Sequence, residues 1–334
     1  HLLHEAELWA ATAAVKGLAD YPYDDLDRLW KLVLLHQFHD MLPGTSIAWV
    51  HEETRQRYAE IAESLEAIID TSQRALAGEG NLDLIFNASP FHRDGVPSYA
   101  AATIDRAVPR VTAAPRTEGG WVLNNALVRA EIDEFGLLVS VRDTATGREA
   151  IPAGQAANLL QMHSDFPNMW DAWDIDEFYR NTVTDLRAAD SVEVADGEHG
   201  AMVRVTRTFG SSKIVQDLTL APDTARVDID SSVDWHEQEK LLKAAFPVDV
   251  HTDSAAFETQ FGHVVRPTHQ NTSWDAARFE VSAHRWVYVG ESGYGAAVVN
   301  DSTYGHDVTR HEKPEGGSFS TVRLSLLRGP KFPD

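Results

Sequence analysis

The strongest constraint in this sequence is a change of hydrophobic period near residue 82. Before it, Tyr58, Ile61, Leu65 and Ile68 recur at spacings of three and four, which marks an amphipathic helix ending at Gly78 and Gly80. Beyond it, MVRVTRTFG, IVQDLTLAP, ARVDIDSSVDW, WVYVG, GAAVVND and STVRLSLLR alternate polar and apolar residues between short turns. LVRAEIDEFGLLVSVRD alternates on both sides of Phe135-Gly136 and predicts a hairpin. A helical period does not settle in a sheet, nor a period of two in a helix. The expected class is therefore α+β, with a three-helix bundle over residues 1–80 followed by a large antiparallel β-sandwich region over residues 81–334. The stretch AGEGN is the expected linker.

Within the helical part, the first segment carries Leu2, Leu3, Leu8, Trp9, Val15 and Leu18 and breaks at Tyr21-Pro22. The second opens with Asp24, Asp25 and Asp27, acids that suit the positive end of a helix. It continues through Leu29, Trp30, Leu32, Val33, Leu34, Leu35 and Phe38. Apolar residues cover most of its circumference, which predicts a buried central helix terminated by Pro43-Gly44. His36, His39 and Asp40 lie in this segment at i, i+3 and i+4, a spacing that places them on one helix face. Two readings are open: a capped core helix with hydrogen-bonded histidines, or a metal site in which imidazole and carboxylate hold zinc. An ionised aspartate in an apolar helix is costly unless paired, and no lysine or arginine of this helix is placed to pair with Asp40.

Composition narrows the chemistry. The chain has 334 residues and no cysteine, so two domains are expected, and any metal must be held by His, Asp or Glu. Absence of disulfides suits a reducing, cytoplasmic compartment. A formal net charge of −22 argues against nucleic acid or an anionic membrane as partner. No apolar run reaches the ~18 residues of a membrane span. The pattern N-x-S/T occurs at Asn87, Asn271 and Asn300, close to chance for this length. The first residues, HLLHEAELWAATAAV, already read as helix, and LSLLRGPKFPD follows a strand pattern, so both ends are expected to be cut from a longer protein.

Two further clusters carry chemistry. DFPNMWDAWDIDEFY interleaves Asp171, Asp174, Asp176 and Glu177 with Trp170, Trp173 and Tyr179. Aromatic faces and carboxylates suit a sugar, but an acidic surface loop with aromatic anchors fits equally well. QFGHVVRPTHQNTSWDAARFEVSAHRW holds His263, Arg266, His269, Trp274, Asp275, His284 and Trp286. Strand alternation sends several of these to opposite faces, so most are expected to be structural.

Taken together, WKLVLLHQFHDMLPGTSI, IFNASPFHRDGV, DAWDIDEFY, VDWHEQEKLLKAAFPVDV, QFGHVVRPTHQNTSWDAARFE, HRWVYV and GYGAAVVNDSTYG resemble the α-mannosidases of glycoside hydrolase family 38, especially bacterial members. The resemblance runs over nearly the whole chain. It implies a helical middle domain and a galactose-mutarotase-like β-sandwich, truncated at its end. It also implies zinc-dependent, retaining hydrolysis of terminal α-mannosides in glycans. In this family the His-Asp dipeptide supplies a zinc ligand and a sugar contact, which fall on His39 and Asp40 here; His36 lies where relatives often carry Asn. The family's nucleophile, acid/base and other zinc ligands belong to an N-terminal barrel with no counterpart in this chain. No catalytic residue is therefore expected in these 334 residues, and the chain alone is expected to be inactive and to lack Zn2+. Expected partners are α-mannoside glycans and the protein's own barrel, with a homo-oligomer compatible with the sequence. The alternative is a non-catalytic carbohydrate-binding β-sandwich module.

Overall fold

The computed structural model describes residues 1–93, 95–103, 110–301 and 303–332. The chain is mostly β with few helices, and it divides into two compact units: His1–Ala107 with Pro333–Asp334, and Val108–Phe332.

The first unit is built on α1 (Leu2–Val15), α2 (Tyr23–Leu35) and α3 (Ala48–Ala77). Leu3 and Ala6 of α1, Leu26 and Leu29 of α2, and Ile61 and Leu65 of α3 bury one shared cluster. The three- and four-residue spacing of α3 puts Ile61 and Leu65 on its inward face, and Gly78 closes the helix at φ 68°. The short strands Ile85–Asn87 and Ala100–Ala102 pair in this unit. The Asn87 amide donates to the carbonyls of Phe91, Val96 and Pro97, so this N-x-S asparagine is a buried turn clamp. The third such pattern runs from Asn300 to Ser302, which lies outside the described residues.

The second helix departs from expectation in two ways. Only Leu26 and Leu29 of α2 are buried, while Leu34 and Leu35 are 59% and 64% exposed, so α2 is not a buried central helix within this unit. It packs one stripe against its neighbours, and a stripe is all that two partner helices cover. The helix also stops at Leu35, well before Pro43-Gly44. The His36 carbonyl, which a further helical turn would use, accepts instead from the Tyr58 hydroxyl of α3 at 3.3 Å. Local turns then carry the chain to α3, with Gly44 at φ 84°.

In the second unit every named strand pairs antiparallel. Two four-stranded meanders come first. One holds Thr112–Pro115, Trp121–Asn124, Val128–Ile132 and Leu138–Asp143; the other holds Ser191–Gly197, Gly200–Phe209, Ser212–Leu220 and Val227–Asp234. Their alternating apolar residues meet in one core, Leu123, Ala130 and Ile132 from the first and Val203, Val205 and Leu218 from the second. The hairpin expected at Phe135-Gly136 is present between Val128–Ile132 and Leu138–Asp143. Gly136 sits at φ 73°, where a Cβ would lie 2.4 Å from Val205 Cγ1, so both backbone and packing demand glycine. A six-stranded sheet orders Val281–Ser282, Gly305–Glu312, Ser318–Arg328, Lys240–Val248, Leu159–Ser164 and Thr184–Asp185. Gly262–Pro267, Ser254–Thr259, Trp286–Glu291 and Tyr294–Val299 form a last four-stranded sheet. Among the described residues no helix is long and apolar enough to cross a membrane.

Candidate functional site

The early end of α2 decides the geometry of His36, His39 and Asp40. They do not share a helix face; they follow one another through the turns between α2 and α3. His36 is only 5% exposed, with its ring 5.6 Å from that of Tyr58 and its Nδ1 3.4 Å from the Thr54 hydroxyl. It anchors the turn to α3. His39 and Asp40, by contrast, open to solvent, with side-chain exposures of 73% and 38%. His39 Nε2 lies 3.6 Å from Asp40 Oδ2, and the Phe38 ring tilts against the imidazole at 4.2 Å. The Thr45 hydroxyl donates to Asp40 Oδ1 at 3.3 Å, fixing the carboxylate from the far side of the turn.

An accessible imidazole beside a carboxylate is chemically suited to zinc and to sugar hydroxyls. Among the described residues, however, no group of three or more His, Cys, Asp or Glu could hold a metal. His39 and Asp40 do not by themselves complete a metal site.

The aromatic and acidic segment 165–179 has its own logic. Asp165 is buried and pairs with Arg328 Nε at 2.7 Å. The rest of that guanidinium donates to the carbonyls of Asp171, Ala172 and Asp174. Tyr179 turns inward, whereas Trp170, Trp173 and Phe178 stay exposed. In the segment 260–286, Thr272 and Asp275 form a capping box, His263 packs on Trp286, Arg266 lies over Phe257, and His284 packs on Tyr304. These residues serve local structure and do not converge on one site.

A cluster unforeseen from the sequence sits in the six-stranded sheet. Lys243 is wholly buried, with Nζ 2.5 Å from Glu280 Oε2 and 2.8 Å from Asp307 Oδ2. Arg323 Nη1 reaches Asp307 Oδ1 at 2.9 Å, and the Tyr179 hydroxyl donates to Glu280 at 2.9 Å. Burial pushes the Tyr179 phenol up to about 12. Burial alone would raise the Asp307 carboxyl, but the Lys243 and Arg323 charges outweigh it and hold it below the usual carboxylate range. The sequence signal was a lone lysine in the otherwise apolar run LLKAAFPV.

Comparison with known proteins agrees with this layout. Residues 123–334 match the glycosyl hydrolases family 38 C-terminal domain, and residues 1–76 match the alpha mannosidase middle domain. Human alpha-mannosidase 2C1 is 35% identical over all of this chain and 34% of its own length. The alpha-mannosidase of Saccharomyces cerevisiae is 30% identical over 99% of this chain and 31% of its own length. The chain thus spans about a third of the length of these curated relatives. The crystal structure of an alpha-mannosidase from Enterococcus faecalis V583 shares the fold with a TM-score of 0.69 at 14% identity, covering 98% of this chain and 50% of that one.

Proposed function

The chain belongs to glycoside hydrolase family 38, and from that premise we propose that it forms the helical and β portion of a zinc-dependent α-mannosidase acting with retention on terminal α-mannosides of glycans. The single observation that carries the reading is the turn after α2, which presents His39 and Asp40 side by side to solvent. His39 would give an imidazole nitrogen to zinc, and Asp40 would accept a hydrogen bond from a mannose hydroxyl. The metal, when bound, supplies Lewis-acid polarisation and orientation of the sugar. In this reading residues 1–80 form the helical domain and residues 81–334 a mutarotase-like β-sandwich, supported by the core shared between two four-stranded sheets. The exposed apolar residues Leu34, Leu35, Phe38, Leu42 and Trp49 suit docking on a barrel that carries the remaining ligands, the nucleophile and the acid/base. A cysteine-free chain suits the cytoplasm.

The test compares two proteins. The full-length protein is expected to hydrolyse an aryl α-mannoside, to lose that activity to a chelator, and to release the α-anomer first by NMR. The 334-residue chain alone is expected to show neither hydrolysis nor stoichiometric zinc, since the described residues hold too few ligands. Chelator-sensitive hydrolysis by the short chain would overturn its expected inactivity. Failure of the long protein to hydrolyse any α-mannoside would overturn the reading itself.

Thr45 offers a finer check. Thr45→Val removes the hydroxyl that orients the Asp40 carboxylate and is expected to lower kcat/KM about tenfold through KM, the scale of loss for a group supporting a site residue. Thr45→Ser should restore most of it. Unchanged kinetics in the valine variant would show that Asp40 needs no such support.

A further inference from the structure

The face of the six-stranded sheet that carries Lys243 also carries a buried imidazole. Register sets His163 opposite Leu241, Gln161 opposite Lys243, and Arg323 opposite both Ala245 and Asp307. Strand alternation therefore turns His163, Lys243, Asp307 and Arg323 to one side. The short 3-10 helix Glu177–Thr182 packs on that side through Tyr179, whose ring meets the His163 ring edge-on at 5.1 Å and lies 5.2 Å from Lys243 Nζ. His163 is 4% exposed. Its Nδ1 is 3.2 Å from the Tyr179 carbonyl, an oxygen that can only accept, so Nδ1 carries the proton and donates it there. Nε2 is buried and has no partner among the described residues. Two more imidazoles stand near the same charges. His306 is wholly buried, with Nδ1 3.1 Å from the Tyr304 carbonyl and with Glu280, Lys243 and Asp307 around it. His311 stacks on Phe319 beside Arg323 and Asp307, and its Nε2 is buried without a partner among the described residues.

We propose that His163 is the trigger of an acid-sensitive strap: a proton taken up at Nε2 drives the 3-10 helix Glu177–Thr182 off the sheet, because lifting Tyr179 lets water solvate the new charge. The groups facing His163 do not welcome that charge. Lys243 and Arg323 repel it, and Asp307, the opposing carboxylate, is already held by Lys243, Arg323 and Arg180. Glu280 is likewise taken by Lys243 and the Tyr179 hydroxyl. The strap is held from outside the sheet ladder, by Tyr179 on Glu280, by Arg180 on the Phe279 carbonyl and Asp307, and by the Thr182 hydroxyl on the Ser164 N–H. Burial and the two cations push the His163 imidazole below its ordinary value, and burial does the same to His306 and His311. The lifted state thus binds a proton that the closed state refuses. Closure is fully stabilised above the ordinary histidine range, about pH 6.5, and weakens as pH falls toward the folded value, by up to about tenfold in the opening constant per pH unit for each proton. The carboxylates stay ionised in this window. The inference stands on the sheet and does not depend on which reaction the full-length protein catalyses.

The experiment follows amide hydrogen exchange in the full-length protein by mass spectrometry, between about pH 7.5 and 5.5, corrected for the intrinsic pH dependence of exchange. Protection of the peptide over residues 177–182 is expected to fall about tenfold from pH 6.5 to 5.5, while the core strand Gly200–Phe209 keeps its protection. His163→Asn keeps a side-chain N–H for the Tyr179 carbonyl but cannot take up a proton, so its profile should be level over the same range. Exchange at the imidazole C2 position of the wild type reads the titration of His163 directly and should place it below about 6.5. Strap protection that is the same throughout this range would overturn the proposal, as would a fall that persists undiminished in the asparagine variant. A parallel loss in Gly200–Phe209 would do so too, since it marks global acid unfolding in place of a local release. A wild-type His163 that titrates at or above the ordinary value would settle the matter against the strap without any variant, even if His163→Asn failed to fold.

Discussion

Replacing His39 by alanine in the full-length protein is expected to abolish stoichiometric zinc and to lower kcat/KM about a thousandfold or more, since Lewis-acid stabilisation is worth several kcal/mol of barrier. The imidazole is accessible for this role because it is exposed and, among the described residues, is engaged by Phe38 and Asp40 on the same turn. In the 334-residue chain, where this side chain is exposed, the substitution is expected to shift stability by less than about 0.5 kcal/mol. His36→Ala provides the contrast. His36 is buried against Tyr58 and Thr54, so its loss should lower stability before it touches metal content. Elemental analysis beside steady-state rates and thermal melts reads all of this. A His39 variant that keeps zinc and rate would remove the ligand assignment.

The largest expected effect on stability lies elsewhere, at Lys243. Lys243→Met takes the ammonium from between Glu280 and Asp307: Asp307 keeps Arg323 and Arg180, whereas Glu280 keeps only the Tyr179 and Ser325 hydroxyls among the described residues. Breaking a buried pair in this way costs about 3–5 kcal/mol, because the Glu280 carboxylate is then desolvated without a cation. In a unit of this size that corresponds to a fall of about 10 °C in Tm. Neutralising the stranded carboxylate as well, in Lys243→Met with Glu280→Gln, should recover part of the loss. A single variant within about 1 kcal/mol of wild type by urea unfolding would show that the network contributes little.

The same network sets a pH dependence with a definite sign. The folded Asp307 carboxyl titrates below its unfolded value, so in acid the unfolded chain takes up a proton that the folded chain refuses. Its stabilisation is present above the ordinary aspartate range near about pH 4 and is lost as pH falls through the folded value. For Lys243, burial works to lower the ammonium, but Asp307 and Glu280 outweigh it and raise it. Its contribution is therefore complete below the ordinary lysine range and fades only in strong alkali. Urea midpoints should drop steeply below about pH 4 in wild type and less so in an Asp307→Leu variant.

What the sequence by itself determined is the order and kind of elements. Period three-to-four before residue 82 and period two after it correspond to α1–α3 and to the antiparallel strands, because side-chain direction follows directly from local backbone geometry. Gly78 and Gly136 were legible for the same local reason, each sitting at positive φ where glycine is tolerated. The His39-Asp40 pair was legible as residues but not as geometry. Beyond Leu35 the chain leaves the helix through local turns, where the His36 carbonyl accepts from the Tyr58 hydroxyl twenty-two residues away, and the supposed helix face becomes an exposed turn. The exposure of α2 is not legible in its apolar composition, which does not say how many neighbours arrive to cover it. Lys243, Glu280, Asp307 and Arg323 are far apart in sequence, and only strand pairing across the six-stranded sheet makes them one charge network. Arg328 likewise meets the segment from Asp165 to Asp174 through more than 150 residues of intervening chain. Periodicity is a property of neighbours along the chain, whereas charge pairing and exposure belong to neighbours in space, and those the tertiary structure alone decided.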